Sequence, residues 1–173
     1  MDPSRGLPVE TLRACLTVAL RGIGVAHWVA VHDVTGLGSG LYQWPDLEQP
    51  VRSQSSQEMR AEMYRVCLDQ SLARDAAFVV VAGTDVTKLS DRGYREAQLA
   101  AGLVEGRIHL AAYALGAGAT GMTFLDSEIP GLLGDPEAPD GLIFTCVGVP
   151  GNTSKPAGLP GAPTQIRPVT PRE

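Results

Sequence analysis

Residues 88–124 read KLSDRGYREAQLAAGLVEGRIHLAAYALGAGATGMTF, and the rest of the chain is read outward from them. Tyr94, Ala97, Ala101, Val104, Ile108, Ala111 and Leu115 recur every three or four residues, the spacing of one helix face. Leu99, Leu103, Leu110 and Ala114 supply a second apolar stripe on another side. A helix apolar around most of its circumference belongs in an interior or at a subunit interface, so this one is expected to be enclosed by protein. Gly102 and Gly106 lie within it. Each costs about 1 kcal/mol relative to alanine, which close approach of another backbone would offset.

The helix is expected to break at Gly116, where Gly116-Ala117-Gly118-Ala119-Thr120-Gly121 matches G-x-G-x-x-G letter for letter. The dinucleotide fingerprint needs a strand before the motif and a helix after it, because the pyrophosphate sits on that helix's N-terminus. Here a helix precedes and an apolar run follows, so the Rossmann reading fails. The plain alternative is a helix cap leading into a strand. The functional expectation is a loop whose bare amides, at Gly118, Thr120 and Gly121, meet the edge of a planar anionic cofactor. An amide aimed at a ring nitrogen that gains electron density on reduction stabilises the reduced form.

Outside this stretch, Leu12, Cys15, Leu16, Ala19, Leu20 and Ile23 mark an amphipathic helix ended by Gly22 and Gly24. Residues 26–33 read as a strand, and the glycine-punctuated turn after them returns through a second strand as a hairpin. Met59, Met63, Val66 and Cys67 share one face of a helix capped by Ser55 or Ser56. The run Phe78–Ala82, FVVVA, fits a central strand covered on both faces. A short helix from Asp126 or Ser127 stops at Gly134, and Leu142–Val147 reads as another buried strand. The expected fold class is α+β, a sheet flanked by helices, in one domain over residues 1–150 with a Pro/Gly-rich tail over 151–173.

The chain of 173 residues is 44% apolar and carries a net charge of −5, with lysine and arginine scattered singly. That balance argues against a nucleic-acid surface and against a polybasic membrane patch. Arg13, Arg21 and His27 interrupt the apolar positions near the start, which rules out a spanning segment there. Cys15, Cys67 and Cys146 are far apart with no CxxC spacing, as expected of buried thiols in a reducing cytoplasm. His27, His32 and His109 do not have the spacing of a metal set.

The segment KLSDRGYREAQLAAG–HLAAYALGAGATGMTF, with the later DGLIFTCVGVP, resembles the FMN-dependent nitroreductase superfamily. It looks closest to the branch of azoline-oxidising dehydrogenases of peptide-antibiotic biosynthesis. VAVHDVTGLGSGLYQW and LDQSLARDAAFVVVAG agree more loosely with that family, and the likeness is strong over 88–148. The resemblance implies a helix-flanked, mostly antiparallel sheet in an intertwined homodimer, with FMN at the interface and a small-molecule substrate. Hydride passes through the flavin N5, with NAD(P)H as the possible electron donor. Lys88 falls on the lysine of the branch's Lys-Tyr pair, a catalytic candidate, but Leu89 replaces the tyrosine and cannot transfer a proton. Tyr94 and Arg95 match the branch's Tyr-Arg, and Thr120 and Gly121 fall near the flavin edge. The family's N-terminal arginine- and serine-bearing segment has no clear counterpart before the first strand; Ser4 and Arg5 are too short a match. The chain is therefore expected to be N-terminally shortened, with Lys155 as a candidate for the phosphate. Loss of FMN is the corresponding alternative: a cofactor-free relative acting as a binding or partner subunit.

Overall fold

The computed structural model describes residues 1–135 and 137–152. In chain order the elements are β1 (Leu7–Pro8), α1 (Val9–Ala19), β2 (Ala26–Val31), β3 (Val34–Thr35), β4 (Gly40–Gln43) and β5 (Arg52–Ser53). Then come α2 (Ser56–Val66), α3 (Ser71–Asp75), β6 (Phe78–Thr84), a 3-10 turn at Val86–Lys88 and α4 (Asp91–Ala114). β7 (Gly118–Met122), α5 (Ile129–Leu133) and β8 (Asp140–Gly148) complete the order. Six strands form one sheet in the order β5-β4-β2-β6-β8-β7, every neighbouring pair antiparallel. β1 and β3 form a separate parallel pair.

β6 is central, between β2 and β8, as its unbroken apolar run requires. Its Phe78 and Val80 face a cluster built with Leu12 and Leu16 of α1 and with Val104 and Ile108 of α4. Val79 and Val81 face the opposite cluster, with Met59 and Met63 of α2 and Ile129 and Leu132 of α5. The sheet is thus sandwiched between α1 and α4 on one face and α2, α3 and α5 on the other. All three cysteines are free and buried. No described helix is long and apolar enough to cross a membrane.

Local sequence explains where the helices begin and end. Ser55 caps α2 in a capping box: its hydroxyl accepts from the Glu58 amide, and the Glu58 carboxylate accepts from the Ser55 amide at 2.9 Å. We expect Ser55→Ala to lower stability by about 1 kcal/mol, measured by urea denaturation. Gly134 ends α5 in the left-handed region at φ 69, where glycine carries no Cβ penalty. Arg52 ties three elements together, donating to the Glu62 carboxylate and to the main-chain oxygens of Gly131 and Leu132.

His32 follows β2 and is buried, with Nδ1 3.0 Å from the Ala76 oxygen and no partner for Nε2 among the described residues. Burial lowers its pKa to about 4, the hydrogen bond to Ala76 opposes that shift, and the Arg60 charge adds to it. Between the ordinary histidine value of about 6.5 and this one, the unfolded chain binds a proton that the folded chain refuses. Stability therefore falls as pH falls through that window and is level above it. The buried His27 is shifted in the same direction. From pH 7 to pH 5 the His32 contribution amounts to a loss of about 2 kcal/mol, and urea midpoints of His32→Gln should show a correspondingly flatter pH dependence.

Candidate functional site: the seam between the long helix and the sheet edge

Of the first apolar stripe of α4, Ala97, Ala101, Val104 and Ile108 are buried core, Ala111 is half-buried, and Tyr94 and Leu115 at its ends are exposed. The second stripe lies outside the core. Leu99 is 74% exposed, Leu103 48%, Leu110 73% and Tyr113 60%. The expectation that α4 is enclosed thus holds for one side of the helix only. Gly102 and Gly106 lie within the outward stripe, and a Cβ on either would meet nothing within 4 Å. Beside it, an open apolar groove of about 420 Å³ runs between α1 and α4, lined by Ala14, Val18, Leu110, Ala111, Ala114 and Leu115. Arg107 at its wall donates to the oxygens of Ala19 and Arg21, closing the C-terminal end of α1.

The glycine segment differs from the expected loop. Gly116, at φ 76, turns the chain after α4, and residues 118–122 form β7, the edge strand paired with β8 from Gly118↔Gly148 to Met122↔Phe144. The plain alternative, a cap leading into a strand, is what the chain adopts, because β8 offers a hydrogen-bonding edge that glycine-rich backbone can satisfy. An edge strand still leaves alternate amides on its outer side unpaired with any strand. Gly121 is exposed, and Gly118, Ala119 and Thr120 are half-buried.

Near the start of α4, Gln98 donates to the Tyr94 hydroxyl at 3.0 Å. Further along, the Glu105 carboxylate lies 3.0 Å from His109 Nδ1. His109 meets the Tyr113 ring edge to face at 5.9 Å. A Cβ placed on Gly121 would stand 3.1 Å from Glu105 Oε1, so the helix carboxylate reaches over the strand. By sequence, His109 stands out only as lacking metal-set spacing, and Glu105 carries no signal until β7 is located beside it.

Lys88 is elsewhere. Its ammonium is exposed on the 3-10 turn, 2.6 Å from Asp85 Oδ2, and that hydrogen bond raises its pKa. A general base needs the opposite shift, so at neutral pH Lys88 offers a cation. Thr84 pairs with Asp140 at one end of β8, whereas Gly118 pairs with Gly148 at the other. At about 3.4 Å per residue these ends lie about 27 Å apart, so one chain does not bring Lys88 to Gly118. Near Lys88, the start of α4 opens a polar cleft of about 520 Å³ lined by Val86, Leu89, Ser90, Asp91, Tyr94 and Arg95. Lys155 lies outside the described residues. Among those residues no set of histidine, cysteine and carboxylate side chains is placed to hold a metal ion.

No family model matches the sequence, and no curated protein matches it. Solved structures do. A candidate nitroreductase from Anabaena variabilis superposes with a TM-score of 0.75 at 27% identity, over 84% of this chain and 34% of that one. The chain has the fold of the nitroreductase superfamily. Its nitroreductase fold recurs in the E. coli microcin synthetase McbBCD complex with truncated pro-MccB17 bound, at TM-score 0.71 and 16% identity over 88% of this chain and 67% of that one. It recurs again in a candidate nitroreductase in complex with FMN from Desulfovibrio desulfuricans, at TM-score 0.60 and 16% identity over 96% and 88% of the two chains. This nitroreductase-fold chain spans about a third of the length of its Anabaena relative. The helix-flanked antiparallel sheet is the fold that the sequence resemblance implied.

Proposed function

We propose that the chain is an FMN-dependent oxidoreductase of the nitroreductase type, working as a homodimer and passing hydride to a small organic substrate with NAD(P)H as donor. The observation that carries this reading is the outward stripe of α4, Leu99, Gly102, Leu103, Gly106, Leu110 and Tyr113, on the same helix whose Glu105 reaches the edge strand β7 at Gly121. A contiguous apolar stripe with glycines at its middle suits close packing against another helix. We commit to a second copy as the occupant. α4 has 24 residues, about 36 Å of helix, and a two-fold axis across its middle sets the start of one α4 beside the end of its partner. Each copy then contributes complementary halves to a shared site.

The residues suit FMN in those two halves. The small residues Gly118, Thr120 and Gly121 leave the alternate outward amides of β7 open to the isoalloxazine rim. Lys88 and Arg95, at the opposite end of the helix, are exposed cations suited to the phosphate. When bound, the flavin supplies hydride chemistry that no side chain of the chain provides. The protein's part is to set the ring against the strand edge, to orient the substrate, and to close the stripe against water.

One observation favours the second reading, a cofactor-free partner subunit: the Glu105 carboxylate over Gly121 puts negative charge beside the proposed ring. Colour and mass decide between the two. The purified protein should be yellow, release FMN on denaturation and scatter light as a dimer. Colourless protein that leaves the fluorescence of added FMN unquenched would leave the partner-subunit reading.

A further inference from the structure

We propose that His109, held by Glu105, is the proton-transfer group at the β7 edge; the inference rests on the flavin-oxidoreductase reading above. Glu105 and His109 are four residues apart on α4, so their side chains meet one turn apart. Nδ1 lies 3.0 Å from Glu105 Oε1 and 3.0 Å from the Glu105 main-chain oxygen. Both are acceptors, so Nδ1 carries the hydrogen, and in the neutral ring Nε2 keeps its lone pair. Among the described residues Nε2 has no hydrogen-bond partner. Tyr113 packs against the ring at an interplanar angle of 72°, which restricts its tilt. The imidazole is therefore fixed through one nitrogen and free at the other, the arrangement that orients a histidine for proton transfer.

Position separates this pair from an ordinary helix ion pair. Arg92 and Glu96, also four apart, have side chains 83% and 62% exposed, and such pairs contribute about 0.3–0.5 kcal/mol. His109 and Glu105 are 25% and 23% exposed, and the carboxylate reaches the strand at Gly121. Water can reprotonate the ring, yet the ring stands at the edge assigned above to the flavin. β7 brings no titratable side chain, and Cys146 of β8 lies in the core cluster on the opposite face of the sheet. Asp140 of β8 holds the Val86 amide at the far end of the strand. On α1, Cys15 is buried in the core, while Glu10 and Arg13 are exposed. Glu105 and Tyr113 are the ionisable groups set against the imidazole.

A flavin bound at this edge and kept reduced by NAD(P)H would supply the hydride for the electrophilic atom of a polarised double bond, such as C=C conjugated to a carbonyl. The His109 imidazolium would give its Nε2 proton to the neighbouring atom, so that the substrate gains two electrons and two hydrogens, and neutral His109 would take a new proton from water.

The test combines NMR with stopped-flow kinetics. Nitrogen-15 spectra of wild type should show neutral His109 protonated on Nδ1, and Glu105→Ala should weaken that preference, leaving the main-chain oxygen of residue 105 as the one remaining acceptor. In FMN-loaded His109→Gln, the rate with an enone is read relative to reoxidation by ferricyanide, which takes electrons without a proton. Reoxidation by 2-cyclohexenone should slow about 10²–10³-fold, and added imidazole should restore part of that rate in His109→Ala. An unchanged enone rate in His109→Gln, or an Nε2-protonated neutral ring in wild type, overturns the proposal. Wild-type protein that holds no FMN would instead overturn the flavin reading, and the tautomer would still decide whether the dyad exists.

Discussion

Gly106→Leu is expected to leave each copy folded while abolishing both the dimer and its hold on FMN. Within one chain the substitution is benign. Gly106 sits mid-helix, and a Cβ there meets nothing within 4 Å. Leucine is favoured over glycine in a helix interior by about 0.8 kcal/mol, so the thermal midpoint of the isolated copy should hold or rise. Between copies the same side chain obstructs. Gly106 lies between Leu103 and Leu110 on the outward stripe, three and four residues away, where the proposed two-fold axis would bring the partner helix nearest. Packed helices lie 8–10 Å apart, depending on the side chains at the contact, and a leucine at that point holds them at the wide end. A two-fold interface carries the substitution twice, so we expect the dissociation constant to rise by at least about 10³-fold, or about 4 kcal/mol. Light scattering should report monomer at micromolar concentration, and gel filtration should separate the flavin from the protein. A Gly106→Leu variant that stays dimeric and keeps FMN would remove the α4 stripe from the interface, and the half-site argument with it.

The sequence made legible those elements whose pattern is set by burial. Phe78–Ala82 announced a central strand because both its faces are covered, and Met59, Met63 and Val66 announced α2 because one face is. The Ser55 cap was readable because its partner, Glu58, lies three residues away. What stayed hidden depended on partners distant in sequence. β7 has the sequence GATGM, with Thr120 its one β-branched residue, and becomes a strand only because β8 supplies a ladder more than twenty residues later. Arg52 gave no signal, since its acceptors are at Glu62, Gly131 and Leu132. The candidate site suffered from the same gap. Lys88 and the glycine segment bracket one helix, yet the helix itself holds them at opposite ends of the sheet. Glu105 and His109 stood four apart in plain view, but that spacing alone describes any helix ion pair until the strand edge beside them is known.

Gly121→Val should separate the flavin from the strand without unfolding the protein. The position suits a β-branched residue: Gly121 lies in β7 opposite Thr145, its φ is outside the left-handed range, and valine is favoured in strands. Overall stability should therefore change by less than about 1 kcal/mol. The new side chain meets Glu105 first, since even its Cβ would stand 3.1 Å from Oε1. A carboxylate at the end of a flexible side chain can swing away, and the valine methyls then fill the face of β7 beneath α4. A planar ring cannot lie against a strand whose face is covered by two methyl groups, so we expect FMN affinity to fall at least about 100-fold, about 2.7 kcal/mol, read by fluorescence quenching. Displacing the Glu105 carboxylate also removes one of the two acceptors of His109 Nδ1, so the same variant should show a weaker Nδ1–H preference in nitrogen-15 spectra. Gly121→Ala grades the effect: a single methyl group should weaken FMN binding by less than valine does. If the valine variant folds and still holds FMN with wild-type affinity, the strand edge is not where the ring lies. The polar cleft at the start of α4, with Tyr94 and Arg95, would then be the place to seek it.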